Sequence, residues 1–235
     1  MSWSRAYASA VLDPFAEQLV DLGGVGAGMR VVDVLAGAGR LTRLLARRVG
    51  VGGRVIAVEQ GHAAAEDLRE ELGAARVDAA VTDADAAALP FPDGNFDVAV
   101  SLLGITAARG GTRALGEVAR VARRVAVLVP QRSLLDDALL AALTAGGAAP
   151  PVELLAALQP LTPPPGWNTL VVGDVARFDS IALLWQALIE HHLVSVEAER
   201  AAGGRRLLGE MLARHAGPDG TLRVPVQACL LSAGG

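Results

Sequence analysis

Lysine is absent from this chain of 235 residues, in which all 21 basic residues are arginine. Without lysine the chain can be neither a P-loop nucleotidase nor an enzyme that forms a Schiff base. Cysteine is nearly absent, because Cys229 stands alone. One thiol excludes an intramolecular disulfide and is too few for a structural zinc site, so Cys229 is interpreted as a small core residue.

Long apolar runs are also missing, although 52% of the residues are hydrophobic. No run of about 18 apolar residues, the length that a membrane span needs, is free of charge, Gly or Pro. The first residues lack the basic and then apolar pattern of a secretion signal, so a cytoplasmic location is expected. The net charge of −4 provides no basic excess for a phosphate backbone. Neither nucleic acid nor a membrane is therefore expected as a partner.

The most informative stretch spans residues 29–49. A β-branched run ends at Asp33, small residues follow, and leucines then recur at helical spacing, which predicts a strand, a tight loop and a helix. Gly37 and Gly39 would let a ligand press against bare backbone at the positively polarised start of the helix. The dinucleotide fingerprint requires a third small residue where Thr42 stands, which disfavours a nicotinamide oxidoreductase.

Two further acids follow later strands. Residues 53–59 predict a second strand that ends at Glu59, at about the 20-residue spacing where an acid meets ribose hydroxyls. Asp85 follows a short third strand predicted at residues 76–81. Open α/β sheets bind ligands at the carboxyl ends of their strands, so these two acids and Asp33 are expected to line one pocket. Three acids suit a cation better than a pyrophosphate.

These stretches resemble the class I S-adenosylmethionine-dependent methyltransferases. Motif I of that family, usually V-L-D-x-G-x-G-x-G, is matched at Asp33, Gly37 and Gly39, with Leu35 at the place of the family's first glycine. Residues 82–101 are similar to the family's D-A-x-x-L-P-F-x-D-x-x-F-D-x-V. The resemblance implies S-adenosylmethionine, a net cation, as the cofactor. The cofactor-binding residues that it implies are Asp33, Leu35, Ala36, Gly37, Gly39, Glu59, Gln60, Asp85, Ala86 and Ser101.

The alternation of strands and helices predicts a parallel α/β sheet with right-handed crossovers. The resemblance extends this to a Rossmann-like three-layer α/β/α sandwich with seven mostly parallel strands, of which the last is antiparallel. A single domain is expected, with residues 1–28 as an amino-terminal helical cap and 29–130 as the cofactor-binding half. Residues 131–235 would form the substrate-side half, with a helical lid at about 180–216.

Methyl transfer from a sulfonium is an in-line displacement, and holding and orienting the reactants can supply roughly 7–11 kcal/mol of the barrier. If a catalytic base is used, His191 and His192 are the candidates, although a histidine at a helix end also complements the dipole. Substituting both by Ala is expected to lower turnover more than cofactor binding. Tyr7 and Trp185 are candidates for the substrate pocket, with a core role as the alternative for each.

The leading interpretation is methyl transfer to a small, largely apolar metabolite, such as a phenol, a quinone precursor or a natural-product scaffold, by a monomer or homodimer. The alternative is a catalytically inactive cofactor-binding or interaction protein with the same fold. Leu35 and the absence of the family's P-G-G turn after Arg124 favour that alternative. No histidine lies at ligand spacing with carboxylates, so no metal is expected and activity should persist in chelator.

Overall fold

The computed structural model describes residues 8–108, 110–147, 161–192 and 198–234, and their strands form one seven-stranded sheet. The strands are β1 (Arg30–Val34), β2 (Arg54–Glu59), β3 (Ala80–Asp83), β4 (Phe96–Leu102), β5 (Ala122–Gln131), β6 (Asn168–Phe178) and β7 (Leu222–Ala233). Their order in the sheet is β3-β2-β1-β4-β5-β7-β6. Strands β1 to β5 pair in parallel, and the β5-β7-β6 side contains one antiparallel strand. The predicted fold class is confirmed.

Seven α-helices precede or connect these strands in the described part of the chain. They are α1 (Asp13–Leu22), α2 (Arg40–Val49), α3 (His62–Ala74), α4 (Gly111–Val121), α5 (Leu134–Ala145), α6 (Ile181–His192) and α7 (Ala198–Leu212). A π-helical turn, Ala8–Leu12, precedes α1. Among the described residues, no helix has the length and apolar character that crossing a membrane requires.

Strand β1 lies inside the sheet, between β2 and β4. Asp33 of β1 pairs in register with Ala57 of β2 and with Val100 of β4. The chain order of the strands reverses direction at this place, which is the topological switch point where open α/β sheets bind ligands. Valines flank Asp33 on both sides in the sequence and are fully buried, as expected for a strand covered on both faces.

The start of β3 differs from the sequence prediction by four residues. Strand β3 begins at Ala80 rather than residue 76, because Arg76 adopts a left-handed φ of 53° and the N–H of Val77 bonds to the carbonyl of Leu72 at 2.9 Å. Helix α4 ends at Val121, since the next residue is already extended. Strand β5 therefore follows α4 directly and persists without a P-G-G turn.

The described chain is organised in two compact units. Of the described residues, the larger unit contains 15–108, 110–130, 161–171 and 228–234, and the smaller contains 8–14, 131–147, 172–192 and 198–227. The core of the larger unit is built mainly from β-branched residues of the strands and the inner face of α4. We call the following buried residues the core cluster: Val32, Val34, Val58, Ala86, Leu89, Phe96, Ala99, Ile105, Ala114, Leu115, Val118, Val121, Ala122, Val125, Val127, Val129 and Leu231.

Candidate functional site

The predicted site residues from Asp33 to Ser101 all belong to the larger unit, at the carboxyl ends of its parallel strands. Glu59 is the last residue of β2 and pairs in register with Asp83, the last residue of β3. Asp85 follows two residues later. Parallel pairing brings these strand ends to the edge of the sheet where β1 passes into the glycine loop. The site is therefore positioned by rigid strands.

Asp33 lies beneath the glycine loop and is only 1% exposed. Its Oδ2 accepts a hydrogen bond of 2.6 Å from the hydroxyl of Thr42, whereas its Oδ1 is buried without a hydrogen-bond partner among the described residues. Burial raises the pKa of Asp33 to about 7; the Thr42 hydrogen bond opposes this rise and the charge of Glu59 adds to it. A buried, half-satisfied carboxyl of this kind is stabilised by a proton or by a nearby cation.

Thr42 has a role that its sequence position did not reveal. In the sequence, its place in the glycine motif served only to disfavour a dinucleotide as the ligand. In the structure, Thr42 is fully buried and its hydroxyl donates a hydrogen bond to the Asp33 side chain. Thr42 lies one turn into α2, so the start of the helix is fastened to the end of β1. A threonine among apolar residues on the inner face of a predicted helix was the available signal.

Glu59 fastens the glycine loop to β2. Its carboxylate accepts a hydrogen bond from the backbone N–H of Gly37 and another, at 3.3 Å, from the N–H of Gln60. An ionised carboxylate has about four lone-pair positions, so it can accept two ligand hydroxyls as well. The side chain of Glu59 is half-buried and Gln60 is exposed. Glu59 thus shapes the loop while remaining accessible.

The two motif glycines serve different purposes. Gly37 has a φ of 56°, and a Cβ added there would meet no atom within 4 Å, so the space beside it is open to a ligand. Gly39 has a φ of 71°, and a Cβ there would lie 2.8 Å from Leu72 Cδ2 and 2.9 Å from Leu68 Cδ1. Gly37 leaves room for a ligand, whereas Gly39 permits the close packing of α2 on α3.

Leu35 does not block the glycine loop. The N–H groups of Leu35 and Ala36 donate to the carbonyl of Val58 at 2.8 and 3.1 Å, and the half-buried Leu35 side chain packs against the core cluster. The space beside Gly37 is open, which is consistent with a Leu35 side chain that is directed towards the core cluster. Leu35 adopts a left-handed φ of 60°, which costs an L-residue other than glycine about 1–2 kcal/mol. The turn therefore holds a strained residue while the space beside Gly37 stays open.

The degree of exposure differs among the predicted cofactor-binding residues Asp85, Ala86 and Ser101. Asp85 is exposed, and its Oδ1 accepts a hydrogen bond of 2.8 Å from the N–H of Ala87. Ala86 and Ser101 are fully buried, and the Oγ of Ser101 has no hydrogen-bond partner among the described residues. Sequence reasoning missed Asp83, whose Oδ1 accepts from the N–H of Gly61 at 2.9 Å and so holds the turn after β2.

The predicted substrate-side residues are placed only in part. Trp185, on α6 of the smaller unit, is 5% exposed. It contributes to a cavity of about 460 Å³ whose described lining is Ile181, Trp185, Ala201, Ala202, Arg205 and Arg206. Tyr7 lies outside the described residues. His191 and His192 belong to the backbone of α6, but their side chains are outside the described part of the structure.

We expect Trp185→Ala to lower the free energy of unfolding by about 3–5 kcal/mol. The reason is close packing: a Cβ added at Gly204 of α7 would lie 2.7 Å from Trp185 Cη2, and one at Gly146 would lie 3.6 Å from it. Urea unfolding measures the loss. The matched control is Leu183→Ala on the same helix, where the side chain is 48% exposed and little change is expected. Equal losses in both variants would contradict the packing role.

Within the described ranges, no group of three His, Cys, Asp or Glu residues could hold a metal ion. Metal independence stays a prediction, to be checked by activity in chelator.

The comparison with known families matches the part of the chain that carries this site. Residues 31–124 match the family model described as a methyltransferase domain. A ubiquinone/menaquinone biosynthesis C-methyltransferase of Pseudomonas paraeruginosa is 35% identical over 127 residues, which are 51% of this chain and 50% of that protein. An uncharacterised protein of Mycobacterium tuberculosis is also 35% identical over 127 residues, which are 51% of this chain and 42% of that protein. The chain thus spans about half the length of the curated relatives it matches.

Solved structures share the fold at low sequence identity. A protein of Anabaena variabilis, named as a methyltransferase from an antibiotic biosynthesis pathway, aligns with a TM-score of 0.63 at 16% identity, over 95% of this chain and 98% of its own. The [4+2]-cyclase SpnF aligns with a TM-score of 0.56 at 17% identity, over 94% of this chain and 81% of its own. Residues 31–124 are thus similar to a methyltransferase domain, and the chain shares the fold of these solved structures.

Proposed function

We propose that this protein transfers a methyl group from S-adenosylmethionine to a small, largely apolar metabolite. The observation that carries the proposal is the glycine loop, which is open beside Gly37, tied to the carboxylate of Glu59 and underlain by the buried carboxyl of Asp33. No basic residue is among the predicted cofactor-binding residues, so the set suits a cation. The name of the Pseudomonas relative, a C-methyltransferase, supports the reaction type.

The residues present fit this cofactor. Asp33 has a buried oxygen without a hydrogen-bond partner in the part of the chain that the structure describes, so its negative field would stabilise the positive charges of the cofactor across the loop. Glu59 retains the capacity to accept the ribose hydroxyls, and exposed Asp85 is suited to the adenine amino group. The gap beside Gly37 would admit the cofactor close to the backbone. These roles follow the family motif and the local chemistry together.

Bound S-adenosylmethionine would supply an electrophilic methyl group on a sulfonium. The protein's own part would be to hold cofactor and acceptor in line and to keep water away, which can supply roughly 7–11 kcal/mol of the barrier. A base is required only for an acceptor that arrives protonated, and His191 or His192 is our proposal for that case. The protein is proposed to act as a monomer or homodimer in the cytoplasm, without nucleic acid or a membrane as partner.

The inactive-protein alternative depended on two departures from the family pattern. One was Leu35, whose side chain packs on the core cluster, and the other was the missing P-G-G turn, after which β5 still forms. These two observations support the methyl-transfer proposal over the inactive-protein alternative. The fold alone does not fix the reaction, since SpnF shares it and is named as a cyclase.

A methyl-transfer assay tests the proposal directly. The protein would be incubated with S-adenosylmethionine carrying a labelled methyl group and with a panel of phenols, hydroquinones and natural-product scaffolds. We expect labelled product with the wild type and loss of that product with Glu59→Gln. Cofactor binding without transfer to any acceptor of the panel would favour the inactive-protein alternative instead.

A further inference from the structure

The switch point of the sheet carries two residues in an unusual backbone conformation. Leu35 follows the end of β1 and Leu103 follows the end of the neighbouring β4, and both have a φ of 60°. Only a few per cent of residues other than glycine adopt a positive φ. The N–H of Leu103 is fixed to the carbonyl of Leu128 at 2.9 Å, as the N–H of Leu35 is to that of Val58. The Leu35 turn is therefore anchored to β2, and the Leu103 turn is anchored to β5.

Gly104 follows the second of these leucines and touches the first turn. A Cβ added at Gly104 would lie 2.7 Å from the Cβ of Leu35 and 2.7 Å from its carbonyl oxygen, closer than real Cβ contacts come. The φ of Gly104 is −73° and its ψ is −37°, which any residue adopts. Glycine is thus required at position 104 because Leu35 fills the space that a Cβ would occupy, and not because of the backbone conformation.

The position of Leu35 also sets the glycine loop. The consecutive N–H groups of Leu35 and Ala36 converge on the carbonyl of Val58, and the N–H of Gly37 is held by Glu59. A side chain at 104 would push against the backbone of Leu35, not against the flexible end of a side chain. The displacement would therefore be transmitted to the loop.

We propose that Gly104 is a positioning residue for the cofactor, because the side chain it lacks makes room for the Leu35 turn from which the glycine loop starts. Positions 35 and 104 form a pair in this chain, because Leu35 occupies the space that a side chain at 104 would need. The inference rests on the proposed function, since its readout is binding of the cofactor product.

The test is a double-mutant cycle of Gly104→Ala, Leu35→Gly and the double variant, with affinity for S-adenosylhomocysteine measured by calorimetry. Gly104→Ala is expected to weaken binding at least tenfold. Leu35→Gly is the reference with which the double variant is compared. In the double variant we expect most of the lost affinity to return, because glycine at 35 removes the opposing Cβ and lets the carbonyl turn away. Gly116→Ala in α4, where an added Cβ meets nothing within 4 Å, is the control and should bind normally.

The outcomes separate this inference from the proposed function. Failure of the wild type to bind would overturn both. Normal binding by Gly104→Ala, or a double variant no better than Gly104→Ala, would overturn the pairing alone. If Gly104→Ala does not fold by circular dichroism, the pairing requires that the double variant fold and bind, and an unfolded double variant would overturn it.

Discussion

Glu59→Gln is expected to weaken the binding of S-adenosylhomocysteine by about a hundredfold. The substitution leaves one amide oxygen where a carboxylate accepts from the N–H groups of Gly37 and Gln60 and, in our proposal, from two ribose hydroxyls. Hydrogen bonds to charged groups contribute about 1.5–3 kcal/mol each, and about 1.4 kcal/mol corresponds to a tenfold change in affinity. Calorimetric titration of the wild type and the variant measures the difference.

The matched control for this prediction is Glu71→Gln, which makes the same chemical change at an exposed glutamate of α3. Its affinity should equal that of the wild type. A wild-type affinity in Glu59→Gln would remove Glu59 from the cofactor site, whereas a loss in both variants would indicate a general effect of charge.

Asp33→Asn is expected to stabilise the protein without cofactor at pH 8, by about 2 kcal/mol. The pKa of Asp33 is raised to about 7 when folded, from an ordinary value of 3.8, chiefly because burial disfavours its charged form. The folded state therefore holds this proton more tightly than the unfolded state. Its contribution to stability is fully present below about pH 4, is lost as the pH rises towards 7 and stays lost above that.

Unfolding by urea at pH 4, 6 and 8 measures this contribution. The difference in stability between Asp33→Asn and the wild type should grow in favour of the variant from pH 4 to pH 8. A difference that is the same at every pH would contradict the raised pKa.

The same carboxyl should make cofactor binding depend on pH. A bound cation favours ionised Asp33, so the affinity of the wild type for S-adenosylmethionine should rise about tenfold from pH 6 to pH 8, and Asp33→Asn should lack most of this rise. Calorimetry at three pH values measures it, with adenosine, which has no charged amino acid end, as the control ligand. Equal pH dependence in the two proteins would exclude Asp33 as its source. The acid is thus expected to favour binding at the expense of stability.

The local parts of this site could be predicted from the sequence. A β-branched run that ends in Asp33 and is followed by small residues is compatible with few local structures. The predicted strand, loop and helix are accordingly found at β1 and α2. The strand ending at Glu59 was predicted for the same reason. Hydrophobic periodicity is a short-range signal, and these elements are determined at short range.

The contacts that give the site its properties could not be predicted in this way. The hydrogen bond from Thr42 to Asp33 and that from Gly37 to Glu59 depend on which faces of β1, β2 and α2 meet. The approach of Gly104 to Leu35 joins two strand ends that are remote in the sequence. Hydrophobic periodicity predicts which residues are buried, but it does not predict which buried residues contact one another.

The misplaced start of β3 has a different cause. The apolar pattern from residue 76 looked like a strand, but Arg76 takes a left-handed conformation that ends α3, and the chain needs three more residues to reach the sheet. A single backbone torsion leaves no trace in a hydrophobic pattern.

The measurement that tests the central claim most directly is calorimetric titration of the purified protein with S-adenosylmethionine, S-adenosylhomocysteine and NAD. The account predicts micromolar binding of the first two ligands, its loss in Glu59→Gln, and no binding of NAD. Binding of NAD, or no binding of either S-adenosyl compound, would contradict it.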